Sequence, residues 1–156
     1  MWVSAQTVRD VSSRKKSWWA VEQIVTSNQE RRFVILVVED VEETRNGIKR
    51  LLAAKGYQIH TAGDEDEAVL KASVVRPDLI LISLGLNPTR VVATGRRIRE
   101  RAGLGEEVSV VVFCPPGLDE GAEVTVGYNI HMTSPDNFDQ LRALVSRLLR
   151  KLPRDR

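Results

Sequence analysis

Two adjacent acids, Glu39 and Asp40, directly follow an apolar run over residues 33–38 (FVILVV), with Glu42 and Glu43 just beyond. Neighbouring carboxylates at a strand end suit a hard divalent ion, because Mg²⁺ accepts one or two carboxylates and keeps several waters. The same residues also suit a structural use, with Asp40 capping the next helix and the glutamates complementing its dipole. Further along, Ser83, Cys114 and Ser134 each stand at or just after the end of a short aliphatic or β-branched run. A serine hydroxyl needs a base to become nucleophilic. Cys114 has no evident dyad partner, which leaves a redox role as its one distinctive chemistry. His60 and His131 lie in or beside expected strands without paired metal-ligand spacing and read as structural. Gly103-Leu104-Gly105 follows a helix instead of joining strand to helix, so it is no dinucleotide fingerprint.

Positioning such residues takes a scaffold, and the hydropathy pattern supplies one. Strands are expected at Phe33 to Val38, Tyr57 to Ala62, Leu79 to Ser83, Val108 to Phe113 and, more weakly, Ile130 to Met132. Three of these are almost continuously apolar, which implies burial on both faces and hence a parallel sheet covered by helices. Helices are expected between them. The first carries Thr44, Ile48, Leu51 and Leu52 on one face and closes at Gly56; the second runs from Asp64 to Val75 and stops before Arg76-Pro77. The third spans Thr89 to Arg101, a short fourth spans Leu118 to Val126, and the last starts at a Ser134-Pro135-Asp136 cap and buries Phe138, Leu141, Leu144, Val145, Leu148 and Leu149. Five βα units in this length describe a three-layer, doubly wound five-stranded parallel α/β sheet. In such sheets, function collects beyond the carboxyl ends of the strands.

Composition narrows the class. A chain of 156 residues holds one ordinary domain and a short extension. With 42% hydrophobic, 28% charged and 5% aromatic residues, it reads as globular with an aliphatic core. Residues 1–32 carry six basic and three acidic side chains, leaving 17 against 18 in the remainder. That near-neutral body disfavours nucleic acid as a partner. The third helix does concentrate Arg90, Arg96, Arg97, Arg99 and Arg101, which suits either a solvated face or an acidic partner. The single cysteine fits a reducing compartment, no apolar run is long enough for a membrane span, and a cytoplasmic location is expected. Residues 1–31, with Trp2, Trp18, Trp19 and the basic cluster Arg14 to Lys16, read as a basic and flexible N-terminal extension; Trp18, Val21 and Val25 also fall at helical spacing. Residues 32–152 form the domain, and 153–156 a tail.

From residue 32 to 152 the chain resembles the receiver domain of bacterial two-component response regulators. The resemblance rests on FVILVVEDVEETRNGIKRLLAAKGY (33–57), RPDLILISLGLNP (76–88) and the stretch from Gly127 to Pro135. It implies a flavodoxin-like fold and transfer of a phosphoryl group from a kinase histidine to an aspartate, assisted by Mg²⁺. Position by position, Glu39 and Asp40 match the family's acidic metal-binding pair. Ser83 stands where the phosphoaccepting aspartate belongs, Cys114 where a threonine or serine hydroxyl is usual, Ser134 in place of the lysine, and His131 in place of an aromatic switch residue.

These replacements make the site a degenerate, pseudo-receiver one. A hydroxyl at position 83 is neutral and one heavy atom shorter than a carboxylate, and a serine at 134 supplies no fixed positive charge for a phosphoryl group. Asp78 cannot stand in, being five residues earlier, roughly 16 Å along an extended strand at about 3.3 Å per residue. The expectation is therefore a non-enzymatic signalling module, independent of phosphorylation, with no cofactor and weak or absent Mg²⁺ binding at Glu39 and Asp40. Its expected partners are a histidine kinase or downstream regulator, or a second copy through the last helix, on a face shared with the fourth helix and fifth strand. The alternative is a module switched by phosphorylation of Ser83 or oxidation of Cys114.

Overall fold

The computed structural model describes residues 32–113 and 115–152; the readings of 1–31 as an extension, of Cys114 as a pocket residue or redox switch and of 153–156 as a tail lie outside the described residues. The described chain runs β1 Val34–Glu39, α1 Glu42–Ala53, β2 Gln58–Ala62, α2 Glu65–Val75, β3 Leu79–Ser83, α3 Pro88–Arg101, β4 Ser109–Phe113, β5 Glu123–Gly127, β6 Ile130–Thr133 and α4 Phe138–Arg150. The sheet order is β2-β1-β3-β4-β6-β5. The first five strands in that order are parallel, and β5 is antiparallel to β6 at the edge.

Alternation along the strands sorts the core into two layers. Leu36, Val38, Ile80, Ile82, Val110 and Val112 pack with Ala68, Ala72, Val91 and Ile98 of α2 and α3. Ile35, Val37, Leu79, Leu81 and Val111 point the other way, onto Ile48 and Leu52 of α1 and Leu141, Leu144, Val145 and Leu148 of α4. Both faces of the central strands are thus covered, as their continuous apolar runs require. Gly95 lets α3 lie close on the sheet: a Cβ there would stand 2.7 Å from Val110 Cγ1.

Four local expectations are corrected. No helix forms over Leu118 to Val126. Gly117 and Gly121 adopt φ of 87° and 85°, which breaks the Glu- and Ala-containing stretch, and Glu123–Gly127 then forms a sixth strand. The sheet is therefore six-stranded and mixed at its edge instead of five-stranded and wholly parallel, within the same three-layer class. The cap of the last helix is Asn137, whose Oδ1 accepts the Gln140 N–H at 3.0 Å, while Gln140 Oε1 accepts the Asp136 N–H at 2.7 Å. Asp40 does not cap α1. The N-cap is Val41, with no side-chain bond, and the Val41 N–H instead donates to Glu39 Oε2 at 2.9 Å. Thr44 and Leu51 are exposed, so Ile48 and Leu52 alone carry the buried face of α1.

The β5–β6 hairpin closes through Tyr128 and Asn129, both left-handed with φ of 54° and 60°, the arrangement of a two-residue type I′ turn. Side-chain bonds hold it. Asn129 Nδ2 donates to the Glu106 and Glu107 carbonyls at 2.9 and 3.4 Å, and its Oδ1 accepts the Ser109 hydroxyl at 3.1 Å. His131 bonds Asn129 Oδ1 through Nε2 at 2.9 Å and Thr125 Oγ1 through Nδ1 at 3.1 Å.

The arginines of α3 are tied mostly inside the domain. Arg97 makes a two-pronged bond to Glu65 at 2.9 Å on each arm, Arg101 reaches Asp66 at 3.2 Å, and Arg96 stacks over the Tyr128 ring 4.6 Å from its centre. Arg99 is buried and donates to the Val108 carbonyl at 2.9 Å.

Candidate functional site

At the carboxyl end of the sheet, β1 and β3 run side by side in a register that sets Glu39 against Ser83. Both strands stay extended to their last residue because their aliphatic side chains fill the two core layers, so the polar residues arrive together where the packing ends. Glu39 is only 4% exposed. Burial pushes its carboxyl above the usual glutamate value, and neighbouring Asp40 adds to the rise; the Val41 N–H, which donates to it, and the nearby Ser83 hydroxyl pull the other way. Asp40 is exposed and turns toward a cleft of about 540 Å³, whose walls include Asp64, Glu65, Leu86, Arg90 and Arg97.

Glu39, Asp40 and Ser83 are thus gathered as the residue pattern anticipates. One other position, His131, is drawn elsewhere, whereas Ser134 follows β6 at the same end of the sheet. Ser134 has its main chain tied to the hairpin approach, its N–H donating to the Ala122 carbonyl at 3.1 Å and its own carbonyl accepting the Gly121 N–H. His131 is 9% exposed and committed to Thr125 and Asn129. Its pKa lies below the usual histidine value, chiefly because it is buried and further because Lys151 and Arg147 are near, with Glu123 opposing them. Asp78 lies at the far end of β3, where its carboxylate accepts the Val34 N–H at 2.8 Å.

One contributor is missed by reading strand ends alone. Arg45, on α1, sends Nη1 back to the Glu39 carbonyl at 2.8 Å. The pattern that could have shown it is its place one turn inside a helix that starts right after the acidic doublet, with its stem able to fold back along the strand end. Chemically, the site offers a shielded carboxyl, a neutral hydroxyl on the facing strand end and one exposed carboxylate. Among the described residues no group of three or more His, Cys, Asp or Glu side chains is placed to hold a metal ion.

Comparison with solved structures places this architecture. A chain in the complex of the histidine kinase ThkA with response regulator protein TrrA, from Thermotoga maritima, superposes with a TM-score of 0.59 at 23% identity, covering 75% of this chain and 98% of that one. The domain has the receiver fold. By sequence, this receiver-like domain is similar to the alkaline phosphatase synthesis transcriptional regulatory protein PhoP of Bacillus subtilis, at 27% identity over 75% of the chain and 48% of the relative. It is also similar to the transcriptional regulatory protein DltR of Streptococcus agalactiae, at 29% identity over 71% and 49%. The chain spans about half the length of the curated relatives it matches. No family model matches it. Among the described residues, no helix is long and apolar enough to cross a membrane.

Proposed function

We propose that this chain is a response-regulator receiver module of two-component signalling that works by protein binding, without phosphoryl transfer to its own strand-end pocket. The observation that carries this reading is the Glu39–Ser83 register: the position opposite the buried Glu39 at the strand ends carries a hydroxyl and not an acid. An aspartyl phosphate cannot form at a serine, and the relay chemistry loses its nucleophile. With Ser134 in place of a lysine, a phosphoryl group at this spot would also lack a fixed cation from that position, a contribution often worth several kcal/mol.

Mg²⁺ binding is weak or absent in this reading. Two acids remain, but Glu39 is buried, already bonded to the Val41 N–H, and biased toward its neutral form. Its natural partner is another signalling protein, a histidine kinase or a downstream regulator, and the resemblance of the fold to a chain from the ThkA–TrrA complex favours that class. The test is an amide NMR titration with Mg²⁺ and beryllofluoride, a mimic of the phosphoryl group on an aspartate. The spectrum stays unchanged around Glu39, Asp40 and Ser83 if the proposal holds; saturable shifts centred there overturn it.

A further inference from the structure

The replacement of a helix by β5 leaves a sheet edge that is open among the described residues, and we infer that this edge pairs with the same edge of a second copy. Among the described residues β5 has a neighbour on one side only, and Glu123, Val124, Thr125 and Val126 are all exposed. The Ser134 N–H bonds the Ala122 carbonyl. Antiparallel ladders alternate, so Val124 turns its main-chain groups toward β6, while those of Glu123 and Thr125 point outward. An outward row of unpaired amides and carbonyls is a template for another strand unless it is blunted by lysine, proline or cover.

The opposite edge is blunted in that way: Lys71 of α2 donates to the Thr61 carbonyl of β2. β5 has no lysine or proline, and its one charge, Glu123, is neutralised on the α4 side by Arg147. The register break between Thr125 and Gly127 ends regular pairing at Thr125, which confines the template to the segment before it.

That segment is complementary to itself. In a two-fold antiparallel pair centred on Val124, Glu123 lies opposite Thr125 of the second copy, and each outward N–H finds an outward carbonyl. The two Val124 residues meet as a non-hydrogen-bonded pair, with Cα atoms about 4.5 Å apart and side chains in contact. No like charges are placed opposite each other. Val124 and Val126 are 41% and 46% exposed in the single chain, and the Val124 pair covers part of that apolar surface. The hairpin is held ready by the Asn129 and His131 bonds and the Arg96–Tyr128 stack, so little ordering is needed on association. The occupant is a second copy because a symmetric register satisfies both edges with one short sequence.

Sedimentation velocity on the full chain over a concentration series tests this. A monomer–dimer equilibrium is expected with a dissociation constant of about 10 to 100 µM, as suits an interface below roughly 1,200 Å². Val124→Lys sets two cations against each other and should weaken the dimer at least about tenfold, with circular dichroism and thermal melting confirming an intact fold. Val124→Cys in a Cys114→Ser background needs no disruptive charge and should form a disulfide dimer on mild oxidation, whereas Leu70→Cys, exposed on α2, should not. A chain that stays monomeric at all concentrations, or a dimer that Val124→Lys leaves unchanged, overturns the inference and leaves the edge open or assigned to another protein's strand. The inference rests on the binding-module reading for its purpose only. The sedimentation is run without phosphodonor or beryllofluoride, so either reading can fail while the other stands.

Discussion

Glu39 and Ser83 face each other across adjacent parallel strands, which sets a neutral hydroxyl residue beside a buried carboxyl. Ser83→Asp sets a second acid beside the buried Glu39. The variant should lose about 1 to 3 kcal/mol of stability at neutral pH and regain part of it on Mg²⁺ addition, whereas the parent should melt at the same temperature with or without Mg²⁺. Thermal unfolding of both proteins in the presence and absence of the ion checks this.

The direction of the Glu39 shift sets a pH dependence. Its folded-state pKa lies above the reference value of 4.5, so protonation favours the fold. Stability from this group is fully present below pH 4.5 and is lost as pH rises through the folded-state value. Glu39→Gln should abolish this component, leaving a flatter stability–pH curve in the acid range when urea unfolding is followed by circular dichroism.

His131 acts at a higher pH. Its folded-state pKa is depressed below 6.5, so the unfolded chain takes up the proton first. Stability from the neutral ring is present above pH 6.5 and declines as pH falls from there toward the folded-state value. The ring nitrogens titrating in ¹H–¹⁵N spectra should report a depressed midpoint, and His131→Gln should remove this share of the acid sensitivity.

Thr133 is wholly buried, and its Oγ1 has no hydrogen-bond partner among the described residues. A buried hydroxyl left unpaired costs about 1 to 3 kcal/mol. Thr133→Val keeps the β-branched shape and should be neutral or stabilise by about 1 kcal/mol in urea titration. A loss of more than that would show that the hydroxyl has a partner in solution.

Much of this molecule was legible in its residues. The apolar runs of β1, β3 and β4 dictate buried parallel strands, and β3 forms over the span its LILIS pattern marks. Because those strands end at Glu39 and Ser83, the candidate site could be assembled from strand ends. The hairpin was not legible. The segment from Leu118 carries Glu and Ala in a spacing that suits a helix, while the strand signal, Val-Thr-Val followed by Gly127, is only a few residues long. The turn is also disguised, since a type I′ turn usually shows Asn-Gly, and here Tyr128 takes the first left-handed position. Long-range bonds from Asn129 to the 106–107 carbonyls settle the matter, and no local pattern announces them. The Asn137 cap was hidden in the same way, by a Ser134-Pro135 pair whose serine has its main chain bonded to Gly121 and Ala122 instead.

Intact-mass measurement after incubation with a small acyl-phosphate donor and Mg²⁺ bears most directly on whether the module works without phosphoryl transfer. The expected result is the unmodified mass at every time point, for the parent and for Ser83→Ala alike. A species heavier by one phosphoryl group that forms in the parent and is lost in Ser83→Ala would contradict the account and make Ser83 a phosphate acceptor.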